Sequence, residues 1–326
     1  MTLQKTLTKK IEHPKIGGLC LVLLLFFSLA LMLRRADVAA KCMREGLSLC
    51  ARAVVPSLFP FMVLSELLVA TGTGEWLTAP LARPLGKLLG LSRAGCCAVI
   101  LGLLCGFPVG ARCAIFAYEK GLMGRAECER TIACSSIPSS AFLISTIGTT
   151  LWQDSKFGIF LYITAIFSAL LGGFLLYVLQ KQSKKGLCEF IPSSPTKIRF
   201  EAKMFPSAVR NATMNILLIC AYVVFFSTLT GAVEVVLGRF AANETTHALI
   251  ASLLELSGGV SAAAGLSNRR IGILLTGAAV GWSGLSIHCQ MLSFCDSHDL
   301  STRPYLAVKL IQMIVCSLLA TLLWGK

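Results

Sequence analysis

Charged side chains are scarce in this chain. Asp, Glu, Lys and Arg make up 14% of the 326 residues, whereas hydrophobic residues make up 55% and the mean hydropathy is +0.75. A soluble domain carries roughly 25% charged residues because water must wet its surface. The composition therefore excludes a soluble domain and predicts an all-α integral membrane protein.

Sequence signatures of catalysis and of metal binding are also lacking. The chain has no G-x-S-x-G elbow, no H-E-x-x-H pair and no Walker A loop. Its 14 cysteines form no recurring CxxC pairs, and most lie in apolar stretches, where a thiol is simply a small hydrophobic group. We therefore expect no enzymatic activity, no cofactor and no metal.

The net charge of +14 does not indicate a nucleic-acid partner. The basic residues lie in short segments between apolar runs, which membrane topology alone demands. Four lysines precede the first apolar run, 17–33, and Arg34 and Arg35 follow it. Residues 38–40 could be a signal-peptide cleavage site, but the arginine pair favours an uncleaved anchor. Both alternatives leave the N-terminus in the cytoplasm, and residues 1–53 are predicted to form this anchor and an interfacial segment.

Uninterrupted and interrupted apolar segments alternate along the rest of the chain. The predicted uninterrupted spans are Val54 to Thr71, Phe157 to Leu179, Ala212 to Leu237 and Tyr305 to Trp324. The segment Trp76 to Gly90 is amphipathic and is typical of a helix on the membrane surface. Four further segments are broken by Gly, Pro or Ser clusters: Ala94 to Glu119, Glu127 to Leu151, Thr245 to Ser267 and Ile271 to Cys295.

The order of these segments indicates two repeats. A span, two interrupted segments and a span occur over 54–180 and again over 211–326, joined by a basic linker over 181–210. Paired broken segments in matching positions are typical of secondary transporters. If the first broken segment of each half is a re-entrant hairpin and the second an unwound transmembrane helix, 20 of the 30 Lys and Arg residues, Lys309 among them, are cytoplasmic. This arrangement predicts inverted repeats in a multi-pass protein of a bacterial cell membrane.

The breaks are the predicted binding site. A broken helix in hydrocarbon is stable only where it lines a cavity or is buried in protein, and its free N–H groups favour an anion. The candidate substrate-binding residues are Gly106, Pro108, Gly110, Arg112, Ser135, Ser136, Ser139, Glu255, Ser257, Gly258, Ser283, Ser286, His288 and Gln290. The expected substrate is a small polar, anionic solute.

The ionisable candidates each have an alternative role. Arg112 could bind a substrate carboxylate or could extend to the cytoplasmic interface. Glu255 could bind a coupling proton or sodium ion, or it could cap the following half-helix. His288 with Gln290 could bind the solute or simply pack in the interior, and Glu66 is expected to form a helix–helix hydrogen bond. We expect the protein to lie in a lipid bilayer. The sequence does not decide whether it forms a homo-oligomer.

Several motifs resemble those of a known family, the sporulation integral membrane proteins of YlbJ type, which contain paired nucleoside-recognition (Gate) domains. The matching stretches are 57–61 (SLFPF), 106–111 (GFPVGA) with 118–121 (YEKG), 254–259 (LELSGG) and 283–290 (SGLSIHCQ). The layout is also similar to the core of concentrative nucleoside transporters. At 135–138 the chain has Ser-Ser-Ile-Pro, where the family carries a break of Asn-Asn-Ser-Gly-Pro type.

This resemblance implies transport by an elevator-like movement of the hairpins and unwound helices. For the sporulation family it implies that dipicolinic acid is moved across the outer forespore membrane. Dipicolinate is a pyridine with two carboxylates, and helix N-termini, Arg112 and hydroxyl groups suit such a solute chemically. Nucleosides are the alternative substrates, and a sporulation scaffold that moves no solute is the alternative role.

Overall fold

The computed structural model describes residues 29–30, 33–182, 199–237 and 243–325, and every regular element among them is helical. The helices are α1 (Ala36–Leu49), α2 (Val55–Ala70), α3 (Thr73–Leu89), α4 (Arg93–Cys105), α5 (Val109–Glu119), α6 (Arg125–Ser135), α7 (Ser155–Gln182), α8 (Met204–Leu237), α9 (Glu244–Leu254), α10 (Leu256–Ala264), α11 (Arg269–Trp282), α12 (Gly284–Asp296) and α13 (Arg303–Trp324). Two π-helical segments, Cys50–Val54 and Phe142–Leu151, complete them.

Within these described ranges, four helical stretches are long and apolar enough to cross a membrane. They are Ser155–Lys181, Met204–Val233, Arg269–Asp296 and Arg303–Trp324. A fifth is counted if α3 and α4, which meet at an angle of 102°, are taken as one bent span. The prediction of an all-helical, multi-pass membrane protein is confirmed. Most of the predicted anchor at 17–33 and of the linker at 181–210 lies outside the described residues.

The amphipathic segment predicted for the membrane surface is helix α3. Its buried residues recur every three or four positions, at Gly74, Thr78, Ala82, Gly86 and Leu89, as one face of a helix requires. The bend after Gly90 turns the chain into α4. The C-terminal end of α3 is thereby set against α4, the first arm of a helical hairpin.

Helix α13 has one exposed apolar face and one buried face. Its exposed residues Leu310, Ile314, Leu318 and Leu322 lie four positions apart on one side. The opposite side is buried and packs mainly against α11, and also against α6 and α7. This helix is therefore a central element of the bundle, and any polar residue on its inner side lies deep in the protein.

A second group of helices packs together beside this bundle. Helix α8 contacts α1 and α2 along its length, and its contacts to the rest of the molecule are made mainly through α12 and α9. Gly46 of α1 allows a close approach, because a Cβ atom there would lie 3.1 Å from the Cα of Val224. Helices α1, α2 and α8 thus form one layer against which the broken helices rest.

The contact between α11 and α13 yields a stability prediction. A Cβ atom on Gly277 would lie 2.7 Å from the carbonyl oxygen of Cys316, a backbone atom that cannot rotate away. We expect Gly277→Ala to lower the free energy of unfolding by about 1–3 kcal/mol, because overpacking forces the two helices apart. Thermal unfolding in detergent measures this loss. Gly124→Ala is the control, since nothing lies within 4 Å of its added Cβ. Equal melting temperatures for the two variants would contradict the close packing.

Candidate functional site

The first interrupted segment folds back on itself. Helix α4 ends at Cys105, and α5 begins at Val109 after the turn Gly106–Pro108. Gly102 and Gly110 face each other across the two arms, since a Cβ atom on Gly110 would lie 2.7 Å from the Cα of Gly102. The arms therefore form a helical hairpin whose tip contains Gly106, which has a positive φ of 81°.

The tip of this first hairpin packs against the break in the next segment. Helix α6 ends at Ser135, residues 136–139 have no regular structure, and the chain is helical again from Ser140 into the π-helix Phe142–Leu151. The backbone N–H of Phe107 donates to the carbonyl of Ile137 at 2.8 Å. A Cβ atom on Gly106 would lie 2.4 Å from the backbone N of Ser139, so only glycine fits there. The candidates in this break, including Ser136, which donates to Ile132 O, are thus gathered at one tip.

The second interrupted hairpin has the same construction with different residues. Helix α9 ends at Leu254 and α10 begins at Leu256. A Cβ atom on Gly259 would lie 2.3 Å from the Cα of Ser252, which places the two arms in contact. The carboxylate of Glu255 accepts from the N–H groups of Ser257 and Gly258 at 3.0 and 2.6 Å. Glu255 therefore caps α10, the alternative role predicted for it, and occupies the position that an anion would take.

The tip of the second hairpin also packs against a break. Helices α11 and α12 meet at Ser283 and Gly284, which have positive φ angles of 72° and 80°. A Cβ atom on Gly284 would lie 3.0 Å from the Cα of Glu255 and from the backbone N of Leu256. Each hairpin tip is thus seated in the break of the helix that follows it.

Three predicted residues of α12 are buried with polar atoms that have no partner among the described residues. They are Ser286 (0% exposed), His288 (3%) and Gln290 (1%). The atoms without a partner are the hydroxyl oxygen of Ser286, Nε2 of His288 and the amide nitrogen of Gln290. The other ring nitrogen of His288 lies 2.8 Å from the hydroxyl of Tyr305, and the ring stands edge-on to Trp282 at 4.2 Å. Because buried polar groups are nearly always hydrogen-bonded, these atoms are candidate contacts for water or for a polar ligand.

Lys309 joins the two halves of the site. Its ammonium donates to Ser283 Oγ at 2.8 Å, to Gln312 Oε1 at 2.9 Å and to the carbonyl of Gly281 at 3.4 Å. It also lies 5.7 Å from the ring centre of Phe107, at the tip of the first hairpin. The first tip and the second break therefore meet at one side chain, which is 0% exposed.

Sequence reasoning missed Lys309 because it counted the residue only among the cytoplasmic basic residues, whereas the structure buries its side chain inside the protein. The residue lies on the inner face of α13, opposite the exposed Leu310 and Ile314. The signal was present: a lysine within the predicted span from Tyr305 to Trp324 is an ionisable group in the membrane, which is a functional candidate by default.

Arg112 lies apart from the two tips. Its Nη1 donates to Asn215 Oδ1 at 2.7 Å, and its Nε lies 3.6 Å from Glu66 Oε1. These three residues line a cavity of about 300 Å³ between α2, α5, α8 and α12. Glu66 therefore forms an ion pair between helices, where a hydrogen bond was expected.

A second cavity, of about 270 Å³, reaches the other hairpin at Glu255 and Gly258. It is bounded by α1 and by Ser227, Thr230 and Gly231 of α8, whereas the first cavity contacts α8 at Asn211 and Asn215. The two cavities therefore lie at different levels of one helix, each beside one hairpin. The buried apolar residues Ile219, Val223 and Phe226 occupy α8 between those levels.

The cap on α10 gives a testable prediction. We expect Glu255→Ala to weaken the second tip by about 1 kcal/mol, because the N–H groups of Ser257 and Gly258 lose their acceptor. Glu255→Asp should keep most of the stability, since aspartate is also a good N-cap residue. Hydrogen exchange of the peptide 255–260 should become faster in the alanine variant alone. Unchanged exchange would show that the carboxylate does not hold this tip together.

A second prediction concerns His298, in the loop after α12. Its Nδ1 donates to the carbonyl of Phe294 at 3.0 Å, and its Nε2 lies 2.7 Å from Glu119 Oε1 at the end of α5. These acceptors, the carbonyl first, raise the pKa of His298 above its ordinary value despite partial burial and the nearby Arg112. The imidazolium thus ties the loop to the first hairpin.

The sign of the resulting pH dependence follows from the raised pKa. The stabilisation is complete below the unfolded-state pKa, about 6.5, and is lost as the pH rises through the higher folded-state pKa. The difference in melting temperature between the parent protein and His298→Gln should therefore be larger at about pH 6 than at about pH 9. Glu119→Gln should reduce this pH dependence. A difference that grew with pH would contradict the assignment.

Comparisons with known proteins agree with the motifs. The sporulation integral membrane protein YlbJ of Bacillus subtilis (strain 168) is 22% identical to this chain over 343 residues, with 95% of this chain and 83% of that protein covered. A solved structure of CNTnw, a doubly substituted concentrative nucleoside transporter in an outward-facing state, superposes with a TM-score of 0.48 at 16% identity and covers 92% of this chain and 84% of its own. No family model matches the chain. The sequence match to YlbJ over 95% of this chain confirms the resemblance to YlbJ-type sporulation membrane proteins.

Proposed function

We propose that this chain is a secondary transporter that moves a small anionic solute across a bacterial membrane. The observation that carries the proposal is the seating of each hairpin tip in the break of the following helix, Gly106 against Ser139 and Glu255 against Gly284. Broken helices are tolerated at membrane depth where they are buried in protein or line a path for solutes. Two such pairs in corresponding positions are typical of transporter binding sites.

The proposal includes an inverted repeat, with the two hairpins entering from opposite sides. The order of hairpin, broken helix and long helix is α4–α5, α6 with the π-helix, and α7 in the first half. It recurs as α9–α10, α11–α12 and α13 in the second half. The excess of Lys and Arg on the predicted inner side supports a cytoplasmic N-terminus.

The two cavities support a route along α8. One reaches the first hairpin and the other reaches the second, and buried apolar residues lie between them on α8. A volume of about 300 Å³ is at the lower end of the range for small-molecule sites. Movement of the hairpins and broken helices against the layer of α1, α2 and α8 would connect a solute first to one cavity and then to the other.

Dipicolinate is the solute that we propose first. The resemblance to sporulation proteins motivates it, and it implies the outer forespore membrane of a spore-forming bacterium as the location. A planar ring with two carboxylates suits a site that offers amide, hydroxyl and cationic donors. Glu255 is the proposed site of a coupling proton or sodium ion, and no catalytic step is involved.

Uptake by reconstituted vesicles tests the proposal. Vesicles with the purified protein should accumulate labelled dipicolinate well above protein-free vesicles, and they should accumulate less uridine. We expect Arg112→Ala and Glu255→Gln each to reduce dipicolinate uptake about tenfold or more, because each removes a charge beside a hairpin. Arg83→Ala, on the exposed side of α3, is the matched control and should retain full uptake.

The same variants separate transport from a scaffold role in sporulating cells. A transporter with either substitution should give spores of low dipicolinate content at unchanged protein level, whereas a scaffold should tolerate both. If a well-folded preparation takes up uridine but no dipicolinate, the substrate is a nucleoside and not dipicolinate. Absence of uptake of both, with normal spores from both variants, would refute transport.

A further inference from the structure

The ammonium of Lys309 is fully buried without a compensating charge. Its three acceptors are a hydroxyl, a side-chain amide and a backbone carbonyl, from Ser283, Gln312 and Gly281, and all are neutral. No ion pair to Lys309 occurs within the described parts of the chain. Taking an ammonium ion out of water costs several kcal/mol, which neutral dipoles offset only in part. This position therefore favours the arrival of an anion.

The other titratable side chains around Lys309 supply no negative charge in their ordinary state. On its own helix, Tyr305 lies one turn before it, and Cys316 lies on the same buried face. His288, on α12, is bonded to Tyr305 and not to a carboxylate. Ser168 of α7, which contacts Cys316 at 3.4 Å, is neutral as well. The surroundings thus present one cation among neutral polar groups.

Gln312 supplies a second donor at the same place. Its Oε1 accepts from Lys309, so the amide nitrogen points elsewhere, and this Nε2 is buried with no partner among the described residues. The side chain is 1% exposed. A buried amide N–H without an acceptor costs about 1–3 kcal/mol, a cost that an incoming acceptor removes. An ammonium and an amide N–H side by side are the donors that a carboxylate accepts from.

The tip of the first hairpin lies beside the ammonium. The ring of Phe107, at the tip, lies 5.7 Å from the ammonium, and Lys309 is 0% exposed, so that a solute reaches it only after a neighbouring element moves. The ring also provides an apolar face beside the charge. The surroundings therefore combine a charged donor, a neutral donor and an aromatic side chain, which fits a carboxylate attached to a flat ring.

We propose that Lys309, with Gln312 as the second donor, pairs with a carboxylate of the transported solute and selects anions over neutral molecules. This inference rests on the proposed transport function and specifies its substrate class. It also explains how the site can prefer anions although Glu255 already occupies the N-terminus of α10. In the empty protein, Ser283 and Gln312 hold the ammonium in position.

Competition binding and vesicle uptake with a charged and a neutral probe test this proposal. The probes are labelled dipicolinate and its neutral diamide, pyridine-2,6-dicarboxamide. We expect Lys309→Gln to weaken dipicolinate binding and uptake about 10- to 100-fold, as loss of a charge-assisted hydrogen bond predicts, while the weak interaction with the diamide stays unchanged. Lys309→Arg should retain part of the dipicolinate uptake. Lys156→Gln, at an exposed position in the first turn of α7, is the control for loss of a positive charge.

A carboxylate introduced by mutation provides a second, independent test. Gln312→Glu places a negative charge on the side chain that already accepts from Lys309. We expect it to raise the melting temperature, because the buried ammonium gains a counter-ion, and to abolish dipicolinate uptake, because the position of the solute carboxylate is filled. A lysine with a purely structural role would give the rise in melting temperature with full uptake. This variant also keeps the proposal testable if Lys309→Gln does not fold.

The outcomes distinguish this inference from the proposed function. One outcome would overturn the role of Lys309 and leave transport intact. In it the parent protein takes up dipicolinate, Lys309→Gln keeps the same preference for dipicolinate over the diamide, and Gln312→Glu retains full uptake. A parent protein that binds and moves neither probe would refute the transport of such solutes and the inference with it. Equal uptake of both probes by the parent protein would refute anion selection alone.

Discussion

The requirement that every backbone N–H and C=O finds a partner in the absence of water governs this structure. A helix that stops inside the membrane leaves several such groups without partners. Each of the two hairpins therefore places its tip directly in the break of the next helix. Gly106 and Gly284 make this possible, because a Cβ atom at either position would collide with backbone atoms of the opposing segment. Within each half, the hairpin tip and the helix break therefore contact each other in the absence of a solute.

Pairing of the breaks changes which groups can recognise an anion. The N-terminus of α10 is already capped by Glu255, and the N–H of Phe107 is bonded to Ile137. Free helix ends alone are thus a weak basis for anion binding in this arrangement. Lys309, which has no counter-charge in the described part of the chain, and the Gln312 amide beside it are a stronger basis, because burying them is costly until a negatively charged group arrives.

Much of the helical architecture could be predicted from the sequence, because the lengths of the apolar runs and the positions of the residues that interrupt them can be read directly. Apolar runs near the thickness of the bilayer identify α7, α8 and α13, and Gly, Pro and Ser clusters identify all four breaks. The direction in which a side chain points could not be predicted in the same way. In the sequence, Arg112 and Lys309 are both single basic residues within apolar segments. Arg112 nevertheless points to Glu66 and Asn215, and Lys309 points to the breaks.

These two cations show why packing decides the location of the site. Arg112 follows the first tip by only four residues, yet it lies on the side of α5 that faces α2 and α8, where a carboxylate already neutralises it. Lys309 is remote from both tips in sequence, but α13 brings it between them. A charge that is paired in the resting protein can guide a solute into a cavity, whereas an unpaired buried charge binds it more tightly. If the chain moves a solute as we propose, the two residues suit successive positions along one route, with the first cavity as the entrance and the meeting point of the breaks as the binding position.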